Sequence, residues 1–250
     1  MPRNRMSFII DRILYIPVAT LALATLSPVM SASPIAPCAT ATVSTYDVAG
    51  FQCSIDGYIL EDFTFSASQT GGATLLSDSQ IDLDPTVTPG GMSFQFSGVD
   101  NTIFSVPDGQ TAEYVFQYEL DPLLPKITGG TVTTGPGDPV VLTGQFCGNG
   151  TLTTYVAGQQ TTCSGTDPAG IFPATAVVNG NNMSTNYQFP VTVTDLDTRL
   201  ILDLDGPANV TTFGTSVNVS PTPEPSSALW LAPAMLGLAW LRRSRQLVSR

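Results

Sequence analysis

Histidine is absent from all 250 residues. Without it there is no side chain that titrates near neutral pH in its unperturbed state, so a Ser-His-Asp triad and any metal or redox site built on Cys plus His are excluded. Bases are scarce as well. Between residues 37 and 221 only Lys126 and Arg199 stand against 18 of the 20 acidic residues, a balance of −16. Such a body repels nucleic acid and anionic membrane surfaces, attracts cations and resists self-association. Apolar residues at helical spacing do not recur over any long stretch, which argues against a helical bundle. The two greasiest runs, Ile13 to Leu26 and Ala228 to Leu241, hold 14 residues each. At about 1.5 Å per residue neither reaches across a hydrocarbon core of about 30 Å, so a permanent helical span is not expected. P-loop and dinucleotide-binding fingerprints are missing too.

What the chain has instead is alternation. In "TAEYVFQYEL" (111 to 120) Ala112, Tyr114, Phe116, Tyr118 and Leu120 face one way while Glu113, Gln117 and Glu119 face the other, as a strand with one buried face requires. Further strands are expected at 63–68, 92–97, 139–147, 151–157, 187–196, 199–205 and 209–219. Turn pairs such as Asp56-Gly57, Asp108-Gly109 and Asn149-Gly150 punctuate them and supply positive φ at the reversals. Many short strands without intervening helices predict an all-β, antiparallel β-sandwich of jelly-roll-like character over residues 37–221. The Gly/Pro-rich stretch 128–139 reads as a long loop within one sandwich or as a linker between two halves.

Four cysteines, Cys38, Cys53, Cys147 and Cys163, form an even set, and three connectivities are open to them. The local one, Cys38 with Cys53 and Cys147 with Cys163, closes a short loop in each half and is the expected pairing. A loop of about 15 residues closed in this way contributes about 3 kcal/mol.

Both ends have the form of processing segments. Arg3, Arg5 and Arg12, the apolar run and the small residues Ser31, Ala32, Ser33 and Ala36 make residues 1–36 a secretory signal peptide, with cleavage between 31 and 36. Near the other end Pro223-Glu224-Pro225 precedes the second apolar run, with Trp230 and Trp240 near its ends. Arg242, Arg243 and Arg245 follow it. By the positive-inside rule those arginines stay cytoplasmic and leave the body outside.

Residues 222–250 resemble the PEP-CTERM sorting signal, a Pro-Glu-Pro tripeptide followed by a short hydrophobic helix and an Arg-rich end, which marks exported bacterial proteins for exosortase. More loosely, "FQCSIDGYILEDFTFS" (51 to 66) and "VTTFGTSVNVSPTPEPSS" (210 to 227) are similar to the opening and final strands of PEP-CTERM ectodomains. The resemblance implies exosortase as a processing partner, beside the signal peptidase that the N-terminal segment calls for, and the short second apolar run suits transient insertion in the inner membrane. It also implies a place at the cell surface or in an exopolysaccharide or biofilm matrix. Pro223, Glu224, Pro225, Arg242, Arg243 and Arg245 would then be the recognised residues.

Three Asp-Leu-Asp elements, Asp82/Asp84, Asp195/Asp197 and Asp203/Asp205, would each project two carboxylates about 7 Å apart from one strand face. Each pair is a Ca²⁺ candidate if a loop adds carbonyl oxygens. The competing reading is a solvated outer face with Leu83, Leu196 and Leu204 inside, and no cofactor is expected. Eighteen acids offer many carboxyl pairs for glycoside hydrolysis, but nothing singles one out. The expected function is therefore a non-enzymatic, exported surface or matrix protein without nucleic-acid partners. A secreted carbohydrate-binding module or glycan hydrolase is the alternative.

Overall fold

The computed structural model describes residues 34–122, 126–138, 140–157, 159, 161–165, 174–178 and 183–220. Its strands are β1 (Ala41–Thr42), β2 (Cys53–Ile55), β3 (Tyr58–Thr70), β4 (Ile81–Thr88), β5 (Gly91–Gly98), β6 (Phe104–Val106) and β7 (Thr111–Pro122). They continue as β8 (Lys126–Thr134), β9 (Val140–Gly148), β10 (Ala174–Val178), β11 (Met183–Val193), β12 (Leu196–Asp205), β13 (Ala208–Val210) and β14 (Thr212–Ser220). One helical turn, α1 (Val43–Tyr46), follows β1. Among the described residues no helix is long and apolar enough to cross a membrane.

The strands form two six-stranded antiparallel sheets, the first in the order β10-β9-β12-β7-β3-β2 and the second in the order β1-β4-β5-β14-β8-β11, with β13 and β6 as a separate pair. Successive strands repeatedly change sheet, from β3 to β4, β7 to β8, β8 to β9 and β11 to β12. This is the crossing expected of a jelly-roll-like sandwich, and each sheet draws strands from before and after residues 128–139.

The core follows from the alternation. Ala112, Tyr114, Phe116, Tyr118 and Leu120 of β7 are all buried, as are Met92, Phe94 and Phe96 of β5. Aromatic rings join the sheets: Phe96 lies 4.4 Å from Phe116, Phe94 lies 5.1 Å from Tyr118, and Phe146 of β9 stacks 3.7 Å from Tyr187 of β11. Rings of this size bury large apolar areas, and truncating one to Ala costs about 3–5 kcal/mol.

Turn chemistry agrees with the sequence at the β2–β3 hairpin. Ile55 pairs with Tyr58, and Asp56 and Gly57 take φ of 48° and 81°, the two positive values a tight hairpin needs. Within β3 the register shifts between Glu61 and Thr64, and Asp62 adopts φ 49°. The extra residue is a β-bulge that moves the inward series from Tyr58 and Leu60 onto Phe63.

Two expectations are corrected. Most of the stretch read as a loop or linker is β8, held inside the second sheet between β14 and β11. Its glycines hide the strand pattern for a packing reason. A Cβ on Gly130 would sit 1.9 Å from the Ser216 carbonyl oxygen and 2.5 Å from the Tyr187 hydroxyl, so only glycine lets that ring lie across the strand. Conversely, residues 151–157, read as a strand, form a loop with a single bridge from Leu152 to Cys163. The Leu152 N–H and the Thr153 carbonyl are engaged by Asp197 and Arg199 of the first sheet, while the Thr153 N–H and the Thr151 carbonyl bond the backbone of Thr162 and Ser164.

Candidate functional site

Both disulfides join the local pairs, Cys38 to Cys53 and Cys147 to Cys163. The second one matters for the site. Cys147 lies on β9 of the first sheet, and its bond to Cys163 draws the chain between them over the outer face of that sheet.

Beneath this loop sits Arg199 of β12, with none of its surface exposed. It pairs with Gln117 on β7 and Gln145 on β9, so three long polar side chains form one row across the sheet. The guanidinium donates to Gln117 Oε1 through Nε (3.1 Å) and Nη2 (2.8 Å). It also donates to Gln145 Oε1 (3.1 Å), Thr161 Oγ1 (3.2 Å) and the Thr153 carbonyl (2.6 Å). The Tyr155 ring lies 5.5 Å from the guanidinium carbon, within cation–π range. A buried cation is tolerated only when its donors are satisfied, and two partners here come from the loop itself. Burial still lowers the Arg199 pKa, while Asp197 and Tyr155 act to raise it.

Asp197 is the second buried charge, 4% exposed. Its Oδ2 accepts the Leu152 N–H at 2.7 Å, and the Gln117 amide donates to both carboxylate oxygens at 3.2 Å. Burial raises its pKa, against the opposing pull of these bonds and of Arg199. In the same row Glu119 faces Glu61 on β3 and Asp197 on β12. Burial first, then the charges of Asp121, Asp197, Glu61 and Asp62, push Glu119 up to about 7.

At the other end of the loop Tyr155 donates to Glu113 Oε2 at 2.6 Å. Glu113 stands directly opposite Asp203 in the β7–β12 ladder. Burial, reinforced by the charge and hydrogen bond of Glu113, pushes Asp203 up to about 6.

Between loop and β3 the face is open. One hollow of about 380 Å³ is lined by Asp62, Thr64, Ser66, Gln117 and Tyr155 among others. A second, of about 340 Å³, is lined by Ser68, Thr70, Thr111, Glu113 and Asp203 among others. Their β3 residues are the successive exposed positions of that strand, so the hollows follow each other along β3 and β7 as one groove.

The sequence-predicted metal candidates are spread over separate places. Asp82 and Asp84 are half-buried on β4 with Leu83 fully buried between them. Asp195 lies in the turn before β12, Asp197 is held under the loop, and Asp203 and Asp205 line the far end of the groove. Among the described residues no group of three or more Cys, Asp or Glu is arranged to hold a metal ion. Pro223, Glu224, Pro225, Arg242, Arg243 and Arg245 lie outside the described residues, as do residues 1–33. Sequence reasoning did not find Arg199, Gln117, Gln145 or Tyr155. The available signal was that Arg199 is one of only two bases in the body.

No family model matches the chain, and no curated protein matches it. Among solved structures, TmCBM61 in complex with β-1,4-galactotriose is similar at 6% identity and a TM-score of 0.33, covering 72% of this chain and 93% of that one. The family 11 carbohydrate-binding module from Clostridium thermocellum, in complex with a β-1,3-1,4-mixed-linked tetrasaccharide, has 10% identity and a TM-score of 0.22. That match covers 75% of this chain and 96% of the other. The enzymatically active domain of tailspike protein 4 from bacteriophage CBA120 has 13% identity and a TM-score of 0.25. It covers 63% of this chain, which spans only 18% of the tailspike chain. Likenesses this low assign neither ligand nor chemistry.

Proposed function

We propose that this is an exported, non-enzymatic β-sandwich that holds a polysaccharide strand in the groove along β3 and β7 of the first sheet. The observation that carries the reading is the groove itself. Its floor presents Asp62, Thr64, Ser66, Ser68 and Thr70 in succession along β3, a path of about 26 Å at about 3.3 Å per residue. That shape suits an elongated ligand. Hydroxyl and amide groups offer hydrogen bonds to sugar hydroxyls, and the Tyr155 ring at the wall offers an apolar face with a polar tip. The surrounding charge of −16 opposes polyanionic glycans and favours neutral ones.

A hydrolase is less well supported. Glu113 and Asp203 are directly opposed cross-strand neighbours, one carboxyl pair among several on this face, and nothing in the geometry assigns either of them the acid or nucleophile role that glycoside hydrolysis requires. Two disulfides favour an oxidising compartment. With the sequence signals at both ends they support delivery by signal peptidase and exosortase to the cell surface or an extracellular polysaccharide matrix.

The test of the binding reading is isothermal titration of the full chain against a panel of neutral polysaccharides. Binding to at least one is expected, weakened about tenfold or more by Tyr155→Ala, since an aromatic contact of this kind is worth about 1–2 kcal/mol. Absence of binding across the panel would refute it. For delivery, Glu224→Ala should leave the C-terminal mass unprocessed in the native host, and an intact tail in the unmodified protein would contradict that part.

A further inference from the structure

We propose that Tyr155, Glu113 and Asp203 form a proton-operated latch that closes the 151–157 loop over the first sheet in acid and loosens it as pH rises. The functional meaning rests on the groove reading above, because this loop is the groove wall, but the latch itself is a property of the free protein.

Geometry carries the proposal. Tyr155 is joined to the sheet by its hydroxyl, which donates to Glu113 Oε2 at 2.6 Å. Glu113 and Asp203 are directly opposed on adjacent antiparallel strands, where side chains project in parallel with Cβ atoms about 4.5–5.5 Å apart. Two carboxylates at that distance repel unless a proton lies between them. The neighbourhood contains little to relieve the repulsion. Arg199, the nearby cation, faces Tyr155 from below, but its donors are taken by Gln117, Gln145, Thr161 and Thr153. On the flanking strands Ser68 of β3 stands opposite Glu113 and Val141 of β9 opposite Asp203, and neither titrates. Asp205, two residues along β12 at the groove end, adds a further negative charge. When the loop is closed, Tyr155 is bonded to Glu113 and both carboxyls are half-buried at the edge of the second hollow. When it opens, water can solvate both charges.

The sign follows from linkage. Burial first and Glu113 second push Asp203 up from the ordinary carboxyl range to about 6. A carboxyl whose pKa is higher in the closed form costs that form nothing while protonated. It opposes closure once ionised. Closure is therefore favoured below about pH 4 and loses support as pH rises through about 6.

Hydrogen exchange of the full chain reads this directly. After correction for the intrinsic chemical rate, protection of the 151–157 segment should fall about fivefold to tenfold between pH 5 and pH 7.5, since one pKa unit corresponds to tenfold. Amides of β7 and β12 report the core at both pH values. Asp203→Asn supplies a permanent donor to Glu113 and should hold the segment at its low-pH protection throughout. Glu113→Gln serves the same purpose if the first variant does not fold, and Tyr155→Phe should lower protection already at pH 5. Equal corrected protection at the two pH values would overturn the latch. So would a pH step that persists in Asp203→Asn or Glu113→Gln. No glycan enters the experiment, so its failure leaves the binding reading standing, and failure of glycan binding leaves the latch standing.

Discussion

The two outer faces of the sandwich are built from the same alternating pattern and end up chemically unlike. On the second sheet the outward residues are uncharged across its middle and, apart from Gln95 on β5, small, with Ser93 on β5, Thr131 and Thr133 on β8, and Ser216 on β14. A hollow of about 410 Å³ lies open there. On the first sheet the outward rows hold Gln145, Arg199 and Gln117, then Asp197 and Glu119, and a disulfide-anchored loop covers part of them. Hydroxyls facing water need nothing further. Charges on a covered face need a partner for every donor and acceptor, and the loop supplies the Leu152 N–H, the Thr153 carbonyl and the Thr161 hydroxyl. The comparison teaches that the first face is constructed at a cost in desolvation, whereas the second is merely solvated.

The largest expected effect comes from breaking the construction at its centre. Arg199→Ala leaves the half-buried Gln117 and Gln145, the Thr161 hydroxyl and the Thr153 carbonyl without their shared donor and removes the positive charge near buried Asp197, and should lower stability by about 3–5 kcal/mol in equilibrium urea unfolding. Next comes the staple. Replacing Cys147 and Cys163 by Ala removes a cross-link that closes 16 residues, which should cost about 3 kcal/mol and expose Arg199 to solvent. Smaller again is the effect of Glu119, whose pKa is raised to about 7. The wild type should lose stability as pH rises from 5 to 8, and Glu119→Gln should flatten that slope. Its benefit at pH 8 should be about 1 kcal/mol, because the carboxyl is only half-buried and solvent screens it. Smallest is the control on the other face, where Thr133→Ala should stay within about 0.5 kcal/mol of wild type. A large loss there would erase the distinction between the faces.

How far this was legible in the sequence depends on where each signal resides. β7 was plain because its five inward side chains alternate without a break, and the local disulfide pairing was expected from the short loops it closes. β8 was hidden because Gly129 and Gly130 carry no side chain to show the pattern, and they are glycines to admit Tyr187. Residues 151–157 deceived in the opposite sense: alternation there serves a loop that lies on a sheet without joining it. The site itself was the least visible part. "RLILDLD" (199 to 205) identifies a strand with polar outward positions, but nothing local says that Arg199 is covered. That follows only from the Cys147–Cys163 bond and the path it imposes on the chain between.

The most direct measurement compares bulky substitutions on the two faces in one polysaccharide titration. Ser66→Trp fills the groove floor on β3, and Gln95→Trp adds the same bulk at an exposed position on β5. Loss of binding in Ser66→Trp with unchanged binding in Gln95→Trp is the predicted result. Unchanged binding in Ser66→Trp, with loss in Gln95→Trp, would contradict the assignment of function to the first sheet.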